Sequence, residues 1–314
     1  MTQFWTWWAD HAADPLDELR AALPEQVAAI HPDLKWEIGP GLVAEHVLCL
    51  TGEFYPHLRA ITERWVRAAP AVDDRWEFVP ARRADPELLR TRATSGPWQF
   101  DLAQTVVSLR LEEERAAVMI YMHHPMFAVV PESVRENIPR NVIAWALGED
   151  DVVRWVDGGI ALVERPDDAL PLAALAEVVA SMAVRHAKPT FARIEGTTPA
   201  GVRRTGVAIW PLRWIDHPSF DRHLAVDLGF SGELDDVTRM VLEESEAELE
   251  AALADEESLL VGYETFPERR TLHFYCDSTD DGPAEIIRRW VAGRPSCHLR
   301  VEFDPGWLEV ALMR

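Results

Sequence analysis

The residues with chemistry to offer are histidines and carboxylates, gathered in two small groups. His123 and His124 adjoin at the end of an apolar stretch. Adjacent strand residues point to opposite faces, so both can meet one metal only where the strand ends and its geometry loosens. No H-x-E, H-E-x-x-H or C-x-x-C pattern accompanies them. The second group is Asp216-His217, with Asp221 and His223 close behind. Histidine titrates near neutrality, so His217, Asp216 and His223 are the candidate catalytic residues for acid–base work. The same Asp and Pro residues equally serve turns and caps. Nucleophilic catalysis finds no G-x-S-x-G, and Asp157-Gly158-Gly159 lacks the lysine and spacing of a phosphate loop. Cys49, Cys276 and Cys297 are odd in number, widely separated and without C-x-x-C. They fit buried free thiols in a reducing cytoplasm rather than a disulfide or a structural zinc site. No cofactor is expected, and no metal beyond the His123/His124 pair.

Binding chemistry points elsewhere. The chain carries 53 acidic against 31 basic residues, a net charge of −22. Such a field repels nucleic-acid phosphates and anionic membranes and favours encounter with a basic protein. Phe274 and Tyr275 lack the basic surroundings that single-strand RNA binding on a sheet requires. The acids are densest around Leu234–Ala254, the longest expected helix. Its apolar stripe is Val237, Met240, Val241, Leu249, Ala252 and Leu253, and Glu244 and Glu248 lie among the flanking acids. This is either a solvated face or a docking surface for a basic partner. Trp5, with Phe4, Trp7 and Trp8, crowds a short first helix and either covers a core or meets a partner.

These groups hang on elements that occur twice. Residues 34–80 and 259–305 align without a gap at a constant offset of 225. Ile61, Arg64, Trp65, Val66, Pro70, Arg75, Glu77, Phe78 and Pro80 meet Ile286, Arg289, Trp290, Val291, Pro295, Arg300, Glu302, Phe303 and Pro305. Each copy reads as a hairpin, a helix with apolar residues at spacings of three and four, a proline stop and a third strand. A helix precedes each, giving α-β-β-α-β. The economical fold is α+β, with duplicated ferredoxin-like units whose antiparallel sheets carry helices on one face. Trp65 and Trp290 read as core.

Between the copies, Thr105–Leu111 and Ala116–Met122 read as a hairpin, followed by a helix after Pro131, a strand at Gly159–Val163 and a helix at Pro171–Arg185. That order allows a third, degenerate copy over 100–185. Residues 187–205, with Pro189, Gly196, Thr198, Pro199 and Gly201, read as a linker. The expected domains are 1–199, with the first copy at 14–80, and 203–314, with the second at 234–305. The N-terminus lacks the basic and apolar regions of a signal peptide, so a cytoplasmic location is expected.

The stretch from Ile215 to Trp307 resembles an uncharacterised bacterial family, domain of unknown function 695. The resemblance rests on His217-Pro218 before a strand, Glu243-Glu244 in an acidic helix, Leu260-Val261-Gly262, His273-Phe274-Tyr275 and Asp304-Pro305-x-Trp307. Leu147-Gly148-Glu149 looks like a segment seen in related bacterial proteins. The resemblance implies a ferredoxin-like fold without an established activity, and a likeness to small regulators that bind other proteins, a ribonuclease inhibitor among them. The leading expectation is a non-catalytic, cytoplasmic protein-binding or regulatory protein. Its alternatives are a hydrolase built from separated histidines and carboxylates, and a structural module whose free sheet edges pair into a homodimer.

Overall fold

A computed structural model describes residues 1–197 and 201–313. The chain divides into two compact units, Met1–Lys188 and Pro189–Arg314, both mixing helices with largely antiparallel sheets. No helix among the described residues is long and apolar enough to cross a membrane.

The first unit opens with α1 (Thr2–His11) and α2 (Leu16–Ala28), then β1 (Lys35–Pro40), β2 (His46–Thr51), α3 (Pro56–Arg67) and β3 (Trp76–Val79). Pro56 opens α3, where its missing N–H costs nothing. The sheet order is β1-β2-β3, with β1 antiparallel and β3 parallel to β2. Helices α1, α2 and α3 bury one face of it: Phe4, Trp8, Leu19, Leu23, Leu48, Leu50, Trp65, Trp76 and Phe78 share one core.

The rest of the unit holds the hairpin β4 (Arg92–Ser95) and β5 (Trp98–Asp101), then β6 (Val106–Glu112) and β7 (Ala117–His123). Short α4 (Glu132–Arg135), α5 (Ile138–Leu147) and α6 (Glu149–Trp155) follow, then β8 (Val156–Leu162), β9 (Leu170–Pro171) and α7 (Ala174–Arg185). The second sheet runs β8-β7-β6-β9, and β8 is parallel to β7. The expectation of purely antiparallel sheets is thus corrected at two places. In both, a helix carries the chain back across the sheet before the next strand pairs, which is the connection parallel neighbours need.

The second unit begins inside the expected linker. β10 (Thr190–Thr197) pairs antiparallel with β11 (Arg203–Trp210), so Gly196 and Thr197 lie on a strand. Thr198 and Pro199 lie outside the described residues. Then come β12 (Arg222–Gly229), α8 (Asp236–Ala252), β13 (Ser258–Phe266), β14 (Arg269–Cys276), α9 (Gly282–Ala292) and β15 (Cys297–Phe303). They form one antiparallel sheet, ordered β10-β11-β13-β14-β12-β15. Leu224, Val226, Leu228, Leu272, Phe274 and Cys276 face the helices and form the core with Leu242, Leu249 and Ile287.

The two copies are not superimposable along their whole length. β3 lies directly beside β2, whereas β12 separates β14 from β15. The helix-facing residues of β2 are Leu48 and Leu50, but at the constant offset these meet His273 and Tyr275, which face away from the helices. Side chains alternate with a period of two, so one residue of slip exchanges the faces. The connection between β1 and β2 spans residues 41–45, that between β13 and β14 only 267–268, and β13 has a register shift between Leu260 and Gly262. The equivalence survives in the helix and the third strand, where Trp65 and Trp290, Trp76 and Val301, Phe78 and Phe303 correspond.

Candidate functional site

In the second unit, the sheet face turned away from α8 and α9 is polar. Alternation along β12, β14 and β15 puts His223, Asp227, Thr271, His273, Tyr275, Arg300 and Glu302 on that face. His223 is paired across the strands with Tyr275 on one side and Glu302 on the other. Residues after β15 fold over this end. Asp304 accepts the Tyr275 hydroxyl at 2.7 Å and the backbone amides of Leu308 and Glu309 at 2.8 and 2.9 Å. Trp307 donates its indole N–H to the Phe220 carbonyl at 2.8 Å.

The result is a continuous stack of rings: His273, His223, Tyr275, Trp307, His217 and Phe220, with successive centroids 4.4–6.1 Å apart and interplanar angles of 8–27°. His223 and His273 are buried, and Nε2 of His223 lies 3.0 Å from Nδ1 of His273. Nε2 of His273 is 3.7 Å from Glu264, which binds Arg204 at 2.5 Å. Against burial, which favours the neutral acid, His273 and Arg204 hold the Glu264 pKa below its ordinary value. Burial, reinforced by His273, pulls His223 down to about 3, so it is a neutral imidazole at neutral pH. One carboxylate oxygen each of Glu302 and Glu309 and a ring nitrogen of His223 lie within 4.8 Å of one another. Burial, with Glu302 and Asp304 nearby, raises the Glu309 pKa.

The anticipated residues fall unevenly on this arrangement. His217 and His223 join the stack, while Asp216 is exposed. Burial lowers the His217 pKa. His273, Tyr275, Glu302, Asp304, Trp307 and Glu309 were absent from the candidate catalytic residues. They lie on strands and turns far apart in sequence, and only the sheet order β14-β12-β15 brings them together.

His123 and His124 do not form a joint metal site. His124 is buried, with Nδ1 accepting the Met126 amide at 3.1 Å and Nε2 set 2.9 Å from the Asp101 carbonyl, so both ring nitrogens are used. Its role is to cap the turn after β7. His123 instead lies 3.2 Å from the Leu162 carbonyl through Nδ1. Trp5 packs inward: its ring stacks on Trp65 at 4.9 Å, and its N–H donates to the Trp65 carbonyl at 3.1 Å. Buried Cys49 and Cys276 are held protonated, Cys276 pushed up to about 12, which removes the thiolate a nucleophile needs.

α8 departs most from expectation. Leu242, Leu249 and Leu253 face the core, whereas Val237, Met240 and Val241 are 64%, 53% and 52% exposed. Positions 237, 240, 241, 244 and 248 share one helical face, so the solvent-facing apolar trio leads directly into Glu244 and Glu248. Glu248 reaches Arg294 at 2.6 Å, and Glu244 makes no ion pair among the described residues.

The first unit contains a cleft of about 410 Å³ lined by Arg82, Arg83, Arg140, Glu53, Tyr55 and Glu149, among others. Gly148, with φ +80°, brings the chain so close to Ala84 that a Cβ would sit 2.9 Å from the Ala84 nitrogen. This places Glu149 beneath Arg82. The buried carboxylate accepts from Thr51 at 2.5 Å and from the Arg82 side chain and backbone at 3.0 and 3.1 Å. Gly148 thus explains the Leu147-Gly148-Glu149 segment as a structural corner. Neither family models, curated proteins nor solved structures show a match to the chain.

Proposed function

We propose that the chain is a non-catalytic, cytoplasmic protein-binding or regulatory protein, and that it binds a basic partner through α8. The carrying observation is the apolar trio Val237, Met240 and Val241, exposed in the most acidic part of an acidic chain. Three large apolar side chains left in water on one helical face are an association surface in waiting. Their acidic rim supplies charge complementarity that selects a basic partner and speeds its encounter. The strand order β13-β14-β12-β15, with α8 and α9 as the crossovers, supports a ferredoxin-like reading of this unit. The motif residues gathered in the ring stack support the resemblance to domain of unknown function 695 over the same unit.

Affinity capture from the native host tests this reading. A basic protein is expected with the wild-type chain and is expected to disappear with Glu244→Lys and with Met240→Asp. A set of captured proteins indifferent to both substitutions overturns it.

A second reading is a structural homodimer paired through β15. It is favoured by that edge strand's bare apolar side chains, Val301 at 41% and Phe303 at 66% exposure. A monomer by light scattering at high concentration removes it.

A further inference from the structure

We propose that His223, Glu302 and Glu309 form a binding site for a single divalent transition-metal ion, of the Zn²⁺ or Mn²⁺ class. The three donors come from three places in the fold: β12, β15 and the segment that follows β15. One nitrogen and two carboxylate oxygens within 4.8 Å of one another form a mixed ligand set that side-chain rotation of the exposed glutamates can draw onto one ion.

Glu77, the counterpart of Glu302 in the first copy, shows what a carboxylate in this position otherwise requires. It is 2% exposed and accepts the Leu42 amide at 2.8 Å, the Val43 amide at 3.3 Å and the Arg83 guanidinium at 2.6 Å. Glu302 has no backbone-amide or guanidinium donor among the described residues, and its side chain hydrogen-bonds with Glu309 instead. Across the sheet from it stands an imidazole, and beside it a second carboxyl group. The two carboxyl groups hydrogen-bond to one another beside the imidazole, sharing a proton that a bound cation would displace.

The second observation is the state of His223. It is 2% exposed, too deeply set to be a surface histidine that happens to lie near acids. Nε2 lies 3.0 Å from Nδ1 of His273, so one ring nitrogen is engaged by a fixed partner. A metal-ligating histidine characteristically donates its other ring N–H to a fixed acceptor, which sets the tautomer and aims the lone pair. Here His273 is that acceptor and acts as a positioning residue, itself backed by Glu264 and Arg204. The ion then rests on the His223 ring nitrogen that lies within 4.8 Å of the two carboxylates, and through Glu309 it ties the final segment to the sheet. Three protein ligands leave positions for water. The site lies on the face opposite α8, so its test does not depend on the docking reading.

The test uses the full chain stripped with chelator, with Mn²⁺ binding read by electron paramagnetic resonance and Zn²⁺ by displacement of the bound Mn²⁺. One ion per chain is expected, with affinity falling about tenfold or more in Glu302→Gln, in Glu309→Gln and in the positioning variant His273→Asn. Far-UV circular dichroism should be unchanged in the two glutamine variants, whose side chains are exposed. Thermal unfolding of the wild type should shift upward with added metal, and that of the glutamine variants should not. Failure of the stripped chain to take up either ion overturns the proposal. So does equal binding by the double variant Glu302→Gln/Glu309→Gln, which would mark surface carboxylates elsewhere as the binders.

Discussion

Glu77 and Glu302 stand at equivalent positions of the sequence repeat and live in different surroundings. The first is locked under Arg83 and two backbone amides, whereas the second opens toward His223 and Glu309. The helix-facing neighbours diverge in the same direction. Trp76 and Phe78 are sealed beneath α1, with Trp8 against Trp76 and Trp5 against Phe78, both at 4.9 Å. Their counterparts Val301 and Phe303 are bare. Trp65 is fully buried, whereas Trp290 is half-buried with the Arg294 guanidinium 4.0 Å from its ring. The repeated sequence thus sits in two different structural settings. In the first copy the helix-facing side of the third strand is sealed by packing, and in the second that side is bare, the opposite face carries polar groups and α8 keeps an apolar line in water.

The largest effect that could break this contrast is at the tryptophans. Trp65→Ala should destabilise the first unit by about 3–5 kcal/mol, the range for a fully buried large aromatic. Trp290→Ala should cost roughly half as much in the second unit, because part of that ring is already in solvent. Urea unfolding of the two variants measures the difference, and equal losses would mean that the copies pack alike.

Next is acidity. In chelator-treated protein, His223 has its pKa near 3 when folded and about 6.5 when unfolded. Between these values the unfolded chain binds a proton that the folded chain does not. The stability contributed by the neutral imidazole is therefore complete above about pH 6.5 and is lost as pH falls, by about 1.4 kcal/mol per pH unit. Denaturant titrations of the second unit's unfolding should show this slope, and His223→Leu should flatten it. A slope unchanged in that variant would place the acid sensitivity elsewhere.

Smaller again is Gly148→Ala. A left-handed backbone and a 2.9 Å approach to the Ala84 nitrogen should cost about 1–3 kcal/mol in the first unit. Met240→Asp should change stability by no more than about 0.5 kcal/mol, since the side chain is exposed, while abolishing partner binding. Thermal melts, read beside capture assays, separate those two consequences.

The sequence made the repeat legible because its sharpest part, from Ile61 to Pro80 and Ile286 to Pro305, is a helix and a strand with no insertion between them. The hairpin was less legible. A longer loop in one copy and a register shift in the other moved the faces by one residue, and identity at a constant offset carries no trace of that. α8 misled for a related reason. Val237, Met240 and Val241 have helical spacing, but so do Leu242, Leu249 and Leu253, and only packing against Phe274 and Ile287 decides which line faces inward. The linker expected at 187–205 failed because Gly196 and Thr197 sit in a strand rather than a turn. The ring stack brings together positions from 217 to 307, and no local pattern announces that His223, His273 and Glu302 are neighbours. Sheet order alone does so.

The most direct test places a photo-reactive amino acid at position 240 of α8 or at position 5 of α1, in the chain expressed in its native host. A basic protein should be captured from position 240 on illumination, with none from position 5, where the side chain packs against Trp65. Capture from position 5 instead, or from neither position, would contradict the assignment of partner binding to the second copy.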